Sequence, residues 1–169
     1  MRDKVESHDG IGGVSRGDTL VTLWRSPATH ERWRWQQDRI ERLAASRSDV
    51  VVVNVILGSS DPPDGALRNQ MQADFRKLGE RLRRIVVVPL GGTMWMSVVR
   101  TIVRAILLLS GHSGRQSVVG TVPEALRKVA EVAGPDTPSA AEIREMLGAL
   151  AKELGVRLDE GLREGEGAR

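Results

Sequence analysis

"DVVVVNVIL", residues 49–57, is a nearly continuous run of β-branched residues. A strand of that composition suits the middle of a sheet covered on both faces, where no alternation with polar residues is needed. A second run, "RIVVVPL" at residues 84–90, has the same character. Between them lie a dense loop signal, "GSSDPPDG" at 58–65, and a helical pattern, "ALRNQMQADFRKLGERL" at 66–82. Leu67, Met71, Phe75, Leu78 and Leu82 step by four, four, three and four, one apolar stripe on a helix. Strand, helix, strand in this order implies a crossover connection and parallel pairing.

Working outward, the alternation continues in both directions. "DTLVTLW" (18–24) reads as a strand, with an antiparallel hairpin partner near "GIGGVS" (10–15) or earlier. "SPATHERWRWQQDRIERLAAS" (26–46) reads as a helix capped by Ser26 or Thr29, with Pro27 in its first turn and Trp33, Ile40 and Leu43 or Ala44 on its buried side. Downstream, "RQSVVGTV" (115–122) holds a short strand, and "TVPEALRKVAEVAG" (121–134) opens with a capping box, Thr121 with Glu124. "PSAAEIREMLGALAKELGV" (138–156) adds a helix with a second box, Ser139 with Glu142, and Ile143, Met146, Leu147, Leu150 and Leu154 on one face. The expected architecture is α/β: a layered, mostly parallel mixed sheet of four to five strands with alternating helices over residues 10–134, preceded by an extension at 1–9. An added C-terminal helix follows at 138–156, then a charged, Gly-rich tail at 157–169 expected to be disordered.

Composition narrows the function. With no cysteine, disulfides, Cys-ligated zinc and thiol nucleophiles are excluded; with no apolar h-region at the N-terminus, a cytoplasmic location is expected. A net charge of +3, built from 21 Arg and 4 Lys against 22 acidic residues, does not demand nucleic acid. Four Trp, one Phe and no Tyr supply too few stacking platforms for a single-strand binder, so "ERWRWQQDR" is read as helix and no nucleic-acid partner is expected. His8, His30 and His112 share no helix face, and neither a G-x-S-x-G elbow nor a phosphate-binding G-x-x-x-x-G-K-[ST] loop occurs; no metal, no cofactor and no catalytic residue is expected. Gly91 and Gly92, with Thr93, precede a helix and offer a weak anion cradle through backbone N–H groups.

The longest apolar segment is "GGTMWMSVVRTIVRAILLLSG" at 91–111. It is no transmembrane span: Arg100 and Arg104 would each cost about 2.5–3.5 kcal/mol at a bilayer centre. Its helical part, 93–110, is also only about 27 Å long. On a helical wheel Ser97, Arg100, Thr101 and Arg104 share an arc of about 100°, and apolar residues fill roughly 220°. One sheet face uses only about 100° of apolar surface. The surplus therefore requires cover by neighbouring helices of the chain, a second subunit or other protein, or a ligand or membrane surface. Trp95, Met96, Val99, Arg100, Val103, Arg104 and Leu107 are the candidate partner or ligand surface, with Met96, Val103 and Leu107 at the margin expected to be surplus.

The element order, with "DTLVTLWRSP", "VVVNVILGSSDPPDGALRNQM", "RIVVVPLGGTMWMSVVRTIV" and "SVVGTVPEALRKV", resembles the STAS domain superfamily, and more narrowly its SpoIIAA-like, STAS/Sec14-type bacterial group, over residues 10–134. The resemblance implies a non-enzymatic domain that docks to proteins as a regulatory switch or scaffold. In anti-sigma factor antagonists of this fold a phosphorylatable serine, preceded by Asp, opens the helix after the central strand. Here Ser59 and Ser60 occupy that loop, with Asp61 following rather than preceding them. The expected function is protein–protein interaction with an unnamed partner and self-association into a homo-oligomer, the alternative being a carrier or sensor of a small apolar or anionic ligand beside helix 93–110.

Overall fold

The β-branched run becomes the centre of a six-stranded sheet in the computed structural model, which describes residues 4–58, 62–111 and 114–158. In chain order the strands are β1 (Glu6–His8), β2 (Ile11–Arg16), β3 (Thr19–Trp24), β4 (Val50–Leu57), β5 (Leu82–Leu90) and β6 (Gln116–Val118). The helices are α1 (His30–Ser46), α2 (Gly65–Leu78), α3 (Thr93–Leu109), α4 (Val122–Ala130) and α5 (Ala140–Glu153). Spatial order equals sequence order: β1–β2–β3 is an antiparallel meander, and β3, β4, β5 and β6 run parallel. Right-handed crossovers between strands added always on the same side place their helices on the same face. Accordingly α1, α2 and α3 cover one face, and α4 and α5 cover the other.

The sixth strand corrects the expected four to five. β1 lies inside the segment read as an extension; Glu6–His8 is a polar three-residue edge with no apolar alternation to announce it, held by pairing with Ile11–Gly13. Helix α1 starts later than expected, at His30, because Thr29 is its N-cap and accepts from Arg32 N; Pro27 lies outside. Leu82, counted as the last step of the α2 stripe, begins β5 instead. Gly79, at φ +54°, ends α2, and a single 3-10 turn follows.

The C-terminal helix does not cover α3. It packs against β2 and β3 on the opposite face, where Ile143, Met146, Leu147 and Leu150 join Val21, Val53 and Val86 in one core. Both expected capping boxes form: Thr121 with Glu124, and Ser139 with Glu142. At the N-terminal ends of β3, β4 and β5, Arg83 ties the sheet to the α4–α5 loop. Its Nη1 donates to buried Asp18 at 2.9 Å and to the Val132 carbonyl at 3.2 Å, while Nε donates to Asp49 at 2.8 Å. Hydrogen bonding from Arg83 holds the Asp49 carboxyl below its usual range.

Candidate functional site

Along β4, alternate side chains point to opposite faces. Val51, Val53 and Val55 enter the α4–α5 core; Val50, Val52, Asn54 and Ile56 face α1, α2 and α3. On that second face the packing is incomplete. A partly open cavity of about 100 Å³ lies between the sheet and the three helices. The sheet contributes Trp24, Asn54, Ile56, Ile85 and Val87 to its wall. Trp33 of α1, and Met71 and Phe75 of α2, close the side, the two rings meeting edge to face at 5.3 Å. The inner side of α3 supplies Trp95, Val99, Ile102, Val103, Ile106 and Leu107. Pro62 and Pro63 line the cavity from the β4–α2 loop.

Trp95 holds its place through two glycines. A Cβ on Gly58 would come within 2.3 Å of the Trp95 ring, and one on Gly91 within 2.9 Å. The indole therefore lies across the C-terminal ends of β4 and β5, where Gly58 N donates to the Leu90 carbonyl at 2.8 Å. Gly91 is thus a close-approach residue, where only a hydrogen fits beside the indole. Gly92 is the N-cap of α3 and provides no side-chain cap.

A short polar chain crosses the apolar wall. Thr22 and Asn54 are register neighbours on β3 and β4, and Thr22 Oγ1 lies 2.6 Å from Asn54 Oδ1 and 3.2 Å from Gln36 Oε1. One hydroxyl carries one proton, and the shorter contact has the O–H···O length. Gln36 Oε1 accepts from Trp24 Nε1 at 2.9 Å. Asn54 Nδ2 is bonded to none of the described residues. Asn54 is only 6% exposed, and it stands on the cavity wall. Sequence reading missed it, although an amide interrupting a β-branched run in a central strand was the available signal.

Of the seven residues read as partner or ligand surface, the structure gathers Trp95, Val99, Val103 and Leu107 on the cavity wall. Met96 and Arg100 are half-buried beside it, and Arg104 is exposed. The surplus margin is a correction. Leu107 is 1% exposed and Val103 half-buried, whereas Met94 (84%), Leu108 (63%), Leu109 (59%) and Val98 (44%) stand in solvent. Helix α3 is the last of its layer, with α2 on one side and the edge strand β6 under it, so its apolar arc is rolled the other way. At its C-terminal end, Arg76 of α2 donates to the Leu109 carbonyl at 2.9 Å.

Ser59, Ser60 and His112 lie outside the described residues. Among the described residues no cluster of His, Asp and Glu has metal-holding geometry. No described helix is long and apolar enough to cross a membrane. Two of the three arginines of "ERWRWQQDR" are engaged within the fold: Arg32 pairs with Asp9 at 2.7 Å, and Arg39 pairs with Glu6 at 2.6 Å while lying 3.3 Å over the Trp35 ring; Arg34 is exposed. Compared with known proteins, the chain matches no family model, no curated protein and no solved structure.

Proposed function

We propose that this chain is a non-enzymatic regulatory or scaffolding domain of STAS-like design that acts by protein docking through the outer face of α3, with a second copy of itself as the occupant. One observation carries the reading: the large apolar side chains that remain exposed among the described residues, Met94, Val98, Leu108 and Leu109, all belong to this helix. A contiguous apolar strip on an otherwise polar surface is the usual mark of an interface. Helix α2 runs beside α3; Asp64 is its N-cap, its first turn holds no acidic side chain, and its last turn holds Arg76 and Lys77. A second copy suits the strip because a two-fold contact sets the same apolar patch of one subunit against that of the other. Arg104 stays on the rim, where its stem packs and its head remains wet.

Sedimentation velocity tests this. The parent is expected to sediment as a dimer at tens of micromolar, and Met94→Glu combined with Leu108→Glu as a monomer with an unchanged melting temperature, since both positions are exposed. A monomeric parent, or a dimer indifferent to the double substitution, overturns the choice of occupant.

A second reading, a carrier or sensor of a small apolar ligand, is favoured by a separate observation, the cavity under the same helix.

A further inference from the structure

We infer that the cavity between β3–β5 and helices α1–α3 is a binding site for a small, neutral, mostly apolar molecule with one hydrogen-bond acceptor, and that Asn54 Nδ2 is the donor that receives it. This rests on the ligand reading and is independent of docking at the outer face of α3.

The ligand's class follows from the wall. No charged side chain lines the cavity among the described residues. A charged ligand would lose its hydration with nothing to replace it, at a cost of many kilocalories per mole, so the occupant is neutral. The volume, about 100 Å³, is somewhat below the ~150 Å³ of an engineered apolar cavity that takes up benzene. A single six-membered ring or a chain of similar bulk fills it, with the open side free for a substituent. Apart from Asn54 and the Ser26 hydroxyl, the wall is aliphatic and aromatic, including the rings of Trp24, Trp33, Phe75 and Trp95, as in most small-molecule sites.

The acceptor follows from Asn54. Its carbonyl oxygen is occupied by the Thr22 hydroxyl at 2.6 Å, which fixes the amide so that the NH₂ group is turned away from Thr22. Nδ2 is not sealed off from solvent, since Asn54 lines the partly open cavity, and a strand that is otherwise Val and Ile has no packing need for an amide there. A ketone, aldehyde, ester, ether or hydroxyl oxygen on the ligand supplies the missing acceptor. Gln36, with its Oε1 held by Trp24, keeps the polar chain in place behind the wall and does not reach the cavity.

Three of the four tryptophans line the cavity, so intrinsic fluorescence reports occupancy directly. The probes are cyclohexanone and methylenecyclohexane, which differ only in C=O against C=CH₂, titrated by fluorescence and checked by saturation-transfer NMR. Asn54→Val removes the donor while leaving the Thr22 hydroxyl a second acceptor, Gln36 Oε1 at 3.2 Å, so the strand keeps its packing. It is expected to weaken cyclohexanone about five- to tenfold, one hydrogen bond's worth, and to change methylenecyclohexane less than twofold. Val103→Trp fills the cavity and is expected to abolish both. Equal weakening of both probes by Asn54→Val removes Asn54 as the anchor but leaves a ligand site. Absence of binding of either probe to the parent up to its solubility, or binding that survives Val103→Trp, overturns the cavity as a site and the ligand reading with it. If Asn54→Val does not fold, the parent alone decides the anchor: its preference between the two probes must exceed, in favour of the ketone, their preference for hexadecane over water. A preference equal to hexadecane's refutes the hydrogen bond.

Discussion

Val53 and Asn54 are consecutive residues of one strand, and they belong to two different proteins in miniature. Val53 faces α4 and α5, where aliphatic side chains pack without a polar interruption and both helices start in complete capping boxes. Asn54 faces α1, α2 and α3, where a polar chain crosses the sheet and a cavity is left open. On that side α3 begins without a side-chain cap and keeps four large apolar residues in water. The two layers share a sheet, so the difference is not one of fold stability as a whole. The α4–α5 layer is finished by its own chain. The α1–α3 layer leaves a cavity inside, with the Asn54 amide on its wall, and an apolar strip outside along α3, and both are features that a binding partner can fill.

The comparison breaks most readily at Val53. Val53→Asp places an unpaired carboxylate in the completed core and is expected to unfold the domain outright. The burial penalty is of the same order as a domain's whole stability, about 5–15 kcal/mol. Circular dichroism checks it, and a variant that melts like the parent would show that the two faces had been assigned the wrong way round.

Next in size is the staple at the N-terminal ends of the strands. Arg83→Ala takes the cation from Asp18, whose side chain is nearly inaccessible and keeps, among the described residues, only the Thr19 and Thr137 hydroxyls, and is expected to cost about 3 kcal/mol in urea unfolding. It also alters the acid limb. The Asp49 carboxyl, hydrogen-bonded by Arg83, has a folded pKa below its ordinary value of 3.8. A depressed carboxylate pKa gives stability that is fully present above the unfolded value and is lost as pH falls through the folded one. The parent should therefore lose stability below about pH 4, and Arg83→Ala should lose less over the same interval.

A matched pair of truncations sharpens the contrast between layers. Leu147→Ala opens a hole in a filled core and is expected to cost about 2–5 kcal/mol. Val103→Ala enlarges a hole that is already there and is half-exposed, so about 1 kcal/mol or less is expected. Equal losses would mean that the α3 side is as tightly packed as the other. The smallest effect is at the helix starts: Ser139→Ala should cost about 1 kcal/mol, whereas Gly92→Ser, at an N-cap with open space for a side chain, should move stability by no more than a few tenths.

Much of this architecture was written locally. The two β-branched runs, the α2 stripe through Leu67, Met71, Phe75 and Leu78, and the capping boxes at Thr121 and Ser139 all rest on contacts within a few residues, which a linear reading captures. The sequence also determined that α3 has more apolar arc than one sheet face can use, because a wheel fixes the angles between residues. A wheel does not fix the rotation of the helix about its own axis. That phase was decided by tertiary structure: α2 on one flank, β6 beneath and, among the described residues, no helix beyond turned Val103 and Leu107 inward and left Met94, Val98, Leu108 and Leu109 outside. The side of the sheet taken by α5, the pairing of β1, and the meeting of Thr22, Gln36 and Asn54 were likewise decided only in three dimensions, since each depends on segments far apart in the chain that approach once the crossovers have stacked.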